Sequence, residues 1–268
     1  MITHAKKLFI LSLLALAVLA AFTDAAGIRP VGGEHIVRVI DGDTLEISGG
    51  RRVRLLGVDA PERGEALFDL AADRLRELTA PGSIALMLCD SRDDYGRLLA
   101  TVMAGEVNVN RVLLQEGMTL PMLIPPCGRV VAREVLEAAA LGAMAGKGIY
   151  SQQEFAIVSH DKAWQRVGTR AVVRGKVLGL YRGRKAWHLN FGEDWKTDFT
   201  AVLFRDGQLR YRDLGLDPAD LVGSEVLVIG KVKEYNGPEI IIHGPDQILP
   251  LEAMRKKDPK SKIQDNER

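Results

Sequence analysis

DGDTLEI, residues 41–47, is the first of two stretches that decide the fold of the first half of the chain; the second is RLLGVDAPE, residues 54–62. Alternating, β-branched side chains predict one strand from Ile36 to Ile47. Gly49-Gly50 predicts a hairpin turn, and the chain then returns as a second strand from Val53 to Val58. Asp41 and Asp43 lie inside the first predicted strand, where their charge is either exposed to solvent on a bulge or part of a functional site.

The hairpin predicts an acidic site at one of its ends. It folds Arg54 back towards Asp43, and Asp59 and Glu62 emerge where the second strand ends. Clustered carboxylates are hard oxygen ligands, which suit Ca²⁺ or Mg²⁺ rather than zinc. The alternative interpretation is a bulged strand with solvated carboxylates.

With a third motif, DDYGRLLA at 93–100, these stretches resemble the staphylococcal nuclease (thermonuclease) family over about residues 35–150. The resemblance implies an OB barrel with helices and a calcium-dependent hydrolase that cuts phosphodiester bonds of DNA or RNA. It also implies roles residue by residue. The calcium ligands of the family correspond to Asp43, Asp59 and the backbone carbonyl of Ala60, and a supporting carboxylate corresponds to Asp41. Glu62 matches the residue that orients or deprotonates water. The phosphate-binding arginines correspond to Arg54 and Arg97, and a substrate contact to Tyr95.

The chain departs from the family pattern in three places. The hairpin between Ile47 and Arg54 is shorter than in the staphylococcal enzyme, and Asp94 replaces a basic residue. The segment after Gly117 reads MTLPMLIPP, without the aromatic residues that the family carries there. Base stacking by that segment is therefore not expected.

The order of predicted elements indicates two β-rich domains, an α+β barrel followed by a second barrel. Helical spacing at residues 67–78 and 132–145 and a cap at Asn108 complete the first domain, residues 27–152. Residues 153–166 are interpreted as a linker. Residues 167–250 follow the order of an OB barrel, with three strands, a helix and two strands. Residues 251–268 are highly charged and predicted to be disordered.

A basic segment in the second domain is a candidate nucleic-acid patch. Basic grooves with aromatic platforms hold single strands in OB barrels. The alternative is a solvated hairpin whose aromatic residues belong to the core. The candidate residues are Arg174, Lys176, Tyr181, Arg182, Arg184, Lys185 and Trp187, with Arg170 just before them. His188 and His243 are expected to be structural or surface residues, and the P-loop-like run 142–148 is expected to be a helix C-cap.

The N-terminus has the pattern of a cleaved signal peptide. Lys6 and Lys7 precede a 15-residue apolar run, and small residues follow up to residue 26. The run is short for a membrane span. We expect cleavage of residues 1–26, a periplasmic or secreted protein, and no stable membrane association afterwards; a retained anchor is the alternative.

The composition of the chain restricts how it can bind nucleic acid and which metal sites and disulfides it can form. With 36 Lys and Arg against 35 Asp and Glu, the chain as a whole has no strong field for a polyanion, so nucleic-acid binding must come from a local patch. Two cysteines exclude a four-thiolate metal site. In an oxidising compartment, Cys89 and Cys127 are expected to form a disulfide, the alternative being a buried Cys89 and a free Cys127.

Two classes of function are compatible with the sequence. The first is an exported calcium-dependent nuclease acting on DNA or RNA. The second is a non-catalytic module that binds nucleic acid or another ligand on the same scaffold. The presence of Arg54, Glu62 and Arg97 together favours the nuclease, because a binding module does not need a residue that activates water. The sequence indicates no particular protein partner.

Overall fold

The computed structural model describes residues 28–80, 83–194 and 196–251, and these form two units. One unit ends at Gln153 and includes Asp213–Gly215; the other contains Glu154–Arg212 and the residues from Leu216 onward. The predicted signal peptide, and the predicted tail apart from its first residue, lie outside the described residues. No described helix is long and apolar enough to cross a membrane.

The first unit combines short strands with three helices. Its strands are β1 (Ile28–Val39), β2 (Thr44–Ile47), β3 (Arg51–Leu55), β4 (Val58–Asp59), β5 (Ser83–Arg92), β6 (Leu98–Ala104), β7 (Val107–Asn108) and β8 (Leu120–Pro121). Its helices are α1 (Phe68–Thr79), α2 (Val109–Gln115) and α3 (Gly128–Ala145), followed by a 3-10 turn at Gly148–Ser151.

Five strands of this unit close into a barrel. Antiparallel pairs join β1 to β2, β2 to β3, β5 to β6 and β1 to β5. The parallel pair of β3 with β6 completes the ring. The expectation of an OB barrel with helices in a mixed α and β unit is confirmed.

The acidic motif lies in a turn, so the prediction of one strand from Ile36 to Ile47 is wrong. β1 ends at Val39 and β2 begins at Thr44. The backbone N–H of Asp43 donates to Asp41 Oδ1 over 3.1 Å. An aspartate side chain that accepts a hydrogen bond from the backbone two residues on stabilises a turn, and here it reverses the chain within four residues.

The helix ends follow the expected capping chemistry. The Asn108 side chain accepts a hydrogen bond from the backbone N–H of Arg111 at the start of α2. Helix α3 ends at Gly146, whose φ of 60° is the left-handed conformation that favours glycine. The P-loop-like run is thus a helix C-terminus, as predicted.

The second unit is also built mainly from strands. They are β9 (Ile157–Ser159), β10 (Arg170–Lys176), β11 (Gly179–Arg182), β12 (Trp187–Asn190), β13 (Thr200–Leu203), β14 (Glu225–Glu234), β15 (Pro238–Ile241) and β16 (Ile248–Pro250). One helix, α4 (Arg205–Asp213), follows β13, and 3-10 turns lie at Gln153–Phe155, His160–Arg166, Pro218–Leu221 and Pro245–Gln247.

The strand order of the second unit is β11-β12-β13-β15-β14-β10. The pair of β13 with β15 is parallel, and β10 and β11 follow each other in the chain. With β10 and β11 taken as two halves of one bent strand, this is the five-stranded order of an OB fold. The apolar interior includes Phe191, Phe199 and Ile240.

The segment 153–166 is folded rather than an extended linker. β9 pairs in parallel with β10, and Ala163 is fully buried in the core of the second unit. The polar composition of this segment conceals its structure, because only a few scattered apolar side chains face the core.

Candidate active site

The Arg54 guanidinium is the centre of the predicted site. It is 9% exposed, and Asp43 is 7% exposed. Nη1 of Arg54 lies 2.8 Å from Asp43 Oδ2 and donates to the carbonyl of Val58, and Nη2 donates to Asp59 Oδ1 over 3.0 Å. One planar cation therefore joins the two carboxylates that the sequence assigns to the metal.

Backbone and hydroxyl groups hold Asp43 in place. Its Oδ2 accepts a hydrogen bond from the backbone N–H of Ala60, and its Oδ1 accepts one from the Thr44 hydroxyl. Burial raises the pKa of Asp43 to about 6, although Arg54 and the Ala60 N–H act in the opposite direction. Burial also raises the pKa of Asp59, opposed by Arg54 and reinforced by Glu62. For both carboxyl groups, burial thus raises the pKa by more than Arg54 lowers it.

Gly42 allows the acidic turn to pack closely against the rest of the unit. A Cβ at this position would lie 2.7 Å from the Cβ atoms of both Ala60 and Ala71. Ala60 follows β4 and Ala71 lies on α1, so the turn fits between them only without a side chain. This role of Gly42 is not predictable from the sequence, because Ala60 and Ala71 come close to it only in the fold.

Arg97 reaches the same cluster through Thr44. Its Nη1 donates to Thr44 Oγ1 over 3.3 Å, and that hydroxyl donates in turn to Asp43. Asp93 orients Arg97: its Oδ2 accepts from Nε over 2.6 Å, and its Oδ1 accepts from the Arg97 backbone N–H over 2.8 Å. Burial opposes ionisation, but these hydrogen bonds hold the pKa of Asp93 below its usual range.

Asp93 thus belongs to the site, although it was not among the residues predicted from the sequence. Asp93 forms a tight turn: it also accepts a hydrogen bond from the backbone N–H of Tyr95, and Gly96 has a φ of 75°. The sequence carries a signal for this turn. An Asp followed by a glycine three residues later is typical of a tight turn. Here the turn presents Arg97.

The other residues predicted for the site differ in how far their side chains are exposed to solvent. Tyr95 is 84% exposed, and the Arg97 guanidinium lies 5.2 Å from the centre of its ring. Glu62 is exposed, and its backbone N–H donates to Glu65 in the turn that follows β4. Asp41 is half-buried and supports the turn described above. Asp94 is exposed.

The segment without aromatic residues lies directly beside Asp59. Leu120 pairs with Asp59 and Pro121 with Val58 in the two-stranded ladder of β4 and β8. An aliphatic side chain therefore stands beside this carboxylate.

A disulfide joins Cys89 on β5 to Cys127 at the start of α3, with a Cα–Cα distance of 6.0 Å. It packs with Leu56 and Leu99. Each of these leucines is two residues from an arginine of the site, Arg54 or Arg97. The apolar cluster thus anchors the ends of both arginine-bearing strands.

The basic patch of the second unit is divided between surfaces. Arg182, Arg184, Lys185 and Trp187 line one groove with Arg205 and Arg212 of α4. Arg182 lies 4.8 Å from the Trp187 ring centre and pairs with Asp217. Tyr181 belongs to the opposite face of β11, because neighbouring strand residues alternate. Arg174 pairs with Glu225, and Arg170 lies over Phe155. Lys176 is exposed at the end of β10.

The acidic side chains of the site can supply only part of the ligands of a metal ion. In the described parts of the chain, no three His, Cys, Asp or Glu side chains form a ready-made metal site. Two partly buried aspartates with raised pKa values nevertheless fit a hard divalent cation by charge and by ligand type. Such an ion would take its other ligands from backbone, water and substrate.

Residues 52–152 match the family model described as staphylococcal nuclease homologue, so the resemblance is confirmed over that range. Micrococcal nuclease of Shigella flexneri is 38% identical over 96 residues, which are 31% of this chain and 55% of that protein. Endonuclease YncB of Bacillus subtilis is 39% identical over 92 residues, 30% of this chain and 44% of that protein. Succinoglycan biosynthesis protein ExoI of Rhizobium meliloti is 36% identical over 115 residues, 38% of this chain and 59% of that protein.

This chain spans about half the length of the curated relatives it matches. The family model matches less than half of the chain, and its range begins after Asp41 and Asp43. The assignment of those two residues to the site therefore depends on the geometry, in which Arg54 and Ala60 both contact Asp43 and the backbone N–H of Asp43 donates to Asp41.

Proposed function

We propose that the chain is an exported, calcium-dependent nuclease that hydrolyses phosphodiester bonds of DNA or RNA. The observation that carries the proposal is the convergence of two arginines on one acidic turn. Arg54 joins Asp43 to Asp59, and Arg97 reaches Asp43 through the Thr44 hydroxyl. The match to a nuclease family over residues 52–152 supports it.

The two arginines suit a phosphodiester. Attack on the phosphorus places more negative charge on its non-bridging oxygens, and guanidinium groups stabilise that charge through paired hydrogen bonds. Asp93 limits the freedom of Arg97, which lowers the entropy lost when the arginine binds a phosphate oxygen. The Tyr95 ring beside Arg97 offers an exposed surface for the sugar or base.

Glu62 would orient or deprotonate the attacking water. Its exposed position after β4 leaves its carboxylate accessible to solvent, and no described residue hydrogen-bonds to it. A positioned carboxylate base contributes about 10²–10⁴-fold to a rate.

Asp43, Asp59 and the Ala60 carbonyl would hold the calcium ion. When bound, the ion supplies positive charge that draws an anionic substrate to an acidic site and offsets charge in the transition state. Arg54 takes one oxygen of each aspartate, Asp43 Oδ2 and Asp59 Oδ1. The guanidinium keeps the two carboxylates together, which reduces the cost of assembling a site for the ion.

Export is supported by two separate features. The N-terminal 26 residues have the charged, apolar and small-residue regions of a signal peptide. The Cys89–Cys127 disulfide is of the kind that persists in oxidising compartments.

Two substitutions test the assigned roles. Arg97→Ala and Glu62→Gln should each lower the rate of cleavage of a single-stranded oligonucleotide by at least about 100-fold. Glu106→Gln, an exposed glutamate in the turn after β6, is the matched control and should retain full activity. Circular dichroism and thermal unfolding establish that each variant is folded. If folded wild type and both variants are equally inactive on DNA and RNA, the chain is a binding module instead.

A further inference from the structure

The second unit has a cleft of about 490 Å³ on the outer face of its sheet. Cross-strand neighbours form its floor: Asn190 pairs with Thr200, and Thr200 with Glu239. Tyr181 and His188 form the next pair, on the same face. The cleft therefore spans four strands, β11, β12, β13 and β15.

Two tyrosines project from this cleft. Tyr181 is 64% exposed and Tyr235 is 70% exposed, although both line the same concave surface. The turn after β14 fixes the backbone of Tyr235: Asn236 has a φ of 50° and Gly237 a φ of 96°, and the Tyr235 N–H donates to Gly237. Exposed aromatic side chains on a rigid frame are suited to stacking, because little conformational entropy is lost when they bind.

The polar groups between the tyrosines form no intramolecular hydrogen bonds with other described residues, although Lys233 lies opposite Glu239 in the β14–β15 ladder and His188 contacts the Tyr181 ring. In the described parts of the chain, the side chains of His188, Asn190 and Glu239 make no hydrogen bond. All three are half-buried in the cleft. Partly buried polar groups without hydrogen-bond partners, gathered in a concave site of this size, are typical of a ligand-binding pocket.

We propose that this cleft binds an unstacked base of a single-stranded nucleic acid. The inference rests on the proposed function, which supplies the nucleic acid. The lining contains one carboxylate, two amides, three hydroxyls and an imidazole, but no Lys or Arg; the nearest lysine in the sheet is Lys233, opposite Glu239. That set can accept and donate hydrogen bonds at the edge of a base and is unsuited to a phosphate.

The phosphates of the same strand have separate partners. Arg184 and Lys185 lie in the loop that joins β11 to β12, the two strands that carry Tyr181 and His188. Ring stacking inside the cleft and cations at the end of the same hairpin combine the two interactions that hold single strands on OB folds. His188 thus belongs to a binding surface rather than only to the framework of the sheet.

Fluorescence anisotropy of the full chain in chelator tests the proposal. The probes are labelled single strands of about 12 nucleotides and an abasic strand with the same number of phosphates, checked on a gel for integrity. The variants are Tyr235→Ala, Tyr181→Ala and Tyr235→Trp. Phe204→Ala, an exposed aromatic of the same unit outside the cleft, is the control.

We expect the wild type to bind at least one base-containing strand about tenfold or more tightly than the abasic strand. Each tyrosine-to-alanine change should remove that preference, while Tyr235→Trp and Phe204→Ala retain it. Equal affinity for strands with and without bases, or alanine variants that keep the preference, would overturn the proposal. So would tight binding of a neutral oligosaccharide that is lost in the same variants without any preference for bases.

A second readout separates this proposal from the proposed function. Hydrolysis of a small chromogenic phosphodiester, which is too short to use the cleft, should be unchanged in the alanine variants. If the wild type binds bases through the cleft but never hydrolyses any diester, the nuclease assignment fails and the cleft assignment stands. If it hydrolyses the diester but shows no preference for bases, the reverse holds.

Discussion

Single residues of the active site act mainly by positioning others. Arg54 is almost fully buried, and its hydrogen bonds to Asp59 and Val58 join the end of β3 to β4. Gly42 acts by lacking a side chain, and Thr44 by joining Asp43 to Arg97. Besides the two arginines that would bind the phosphate, the proposed chemistry thus depends on residues such as Gly42 and Thr44, which position the acidic turn and Arg97.

Asp93 provides the clearest test at this scale. Asp93→Asn keeps one acceptor oxygen but removes the charge and the acceptor for Arg97 Nε, so Arg97 loses its fixed orientation. We expect kcat to fall by about tenfold, with a smaller change in KM and little change in Tm. Single-turnover cleavage of an oligonucleotide measures the effect.

Asp94→Asn is the matched control for that variant. Asp94 is the exposed neighbour, so its substitution should leave kcat unchanged. Equal losses in the two variants would mean that local negative charge, and not the hold on Arg97, is what matters.

Among the larger elements, the disulfide should stabilise the first unit. Cys89 and Cys127 are separated by 38 residues, and closing such a loop stabilises by about 4 kcal/mol in the chain-entropy model. The bridge also packs on Leu56 and Leu99, next to the arginine-bearing ends of β3 and β6. Reduction should therefore lower both stability and activity.

Urea unfolding with and without reductant measures this effect. The wild type should lose several kcal/mol on reduction, and Cys89→Ser/Cys127→Ser should start at the lower value and not respond to reductant. Mass spectrometry of unreduced protein gives an independent answer, since two alkylatable thiols in the mature form would exclude the bridge.

The β11–β12 hairpin presents different chemistry on its two faces. Arg184 and Lys185 line the basic groove without the ion pair and ring contact that engage Arg182. Arg184→Glu/Lys185→Glu should weaken binding of single strands and flatten the dependence of affinity on salt by about one to two phosphates.

Lys162→Glu/Lys231→Glu serves as the control, because both lysines are exposed in the same unit outside the groove. A salt slope in the groove variant that equals that of the wild type would favour a solvated hairpin without a binding role.

Some elements could be predicted from the sequence and others could not. The strands and helices of the first unit were largely predictable, because apolar alternation and capping residues agree there with the final structure. The turn at 41–43 was not, since the β-branched residues on both sides concealed an aspartate-stabilised reversal. A helix after the third strand of the second unit was predicted, but the folded segment 153–166 was missed for a similar reason: its few apolar contacts are scattered through polar sequence.

The candidate site was predictable for the residues that carry charge, and less so for those that hold them. Three motifs identified Asp43, Arg54 and Arg97. The Asp-to-Gly spacing at 93–96 indicates a turn but not the contact of Asp93 with Arg97, and the close packing of Gly42 exists only in the fold. The residues of the predicted basic patch lie on different surfaces, because consecutive residues of a strand face opposite sides of the sheet. The number of charges along the chain does not show this alternation.

At the scale of the whole molecule, charge is balanced and binding must be local. The chain carries 36 basic and 35 acidic residues, so no general field attracts a polyanion. We interpret the two units as a cleaving barrel and a binding barrel, each with its own cationic or aromatic surface for the substrate. Affinity for long strands would then depend mainly on the second unit and the chemical step on the first.

The most direct measurement is digestion of single- and double-stranded DNA and RNA by the full mature chain, with calcium, with magnesium and with chelator. We expect cleavage of at least one of these substrates in calcium, weaker cleavage in magnesium because its stricter geometry fits this site less well, and none in chelator. Full activity in chelator would contradict the metal-dependent mechanism. A folded protein that leaves all four substrates intact in calcium would contradict the nuclease itself.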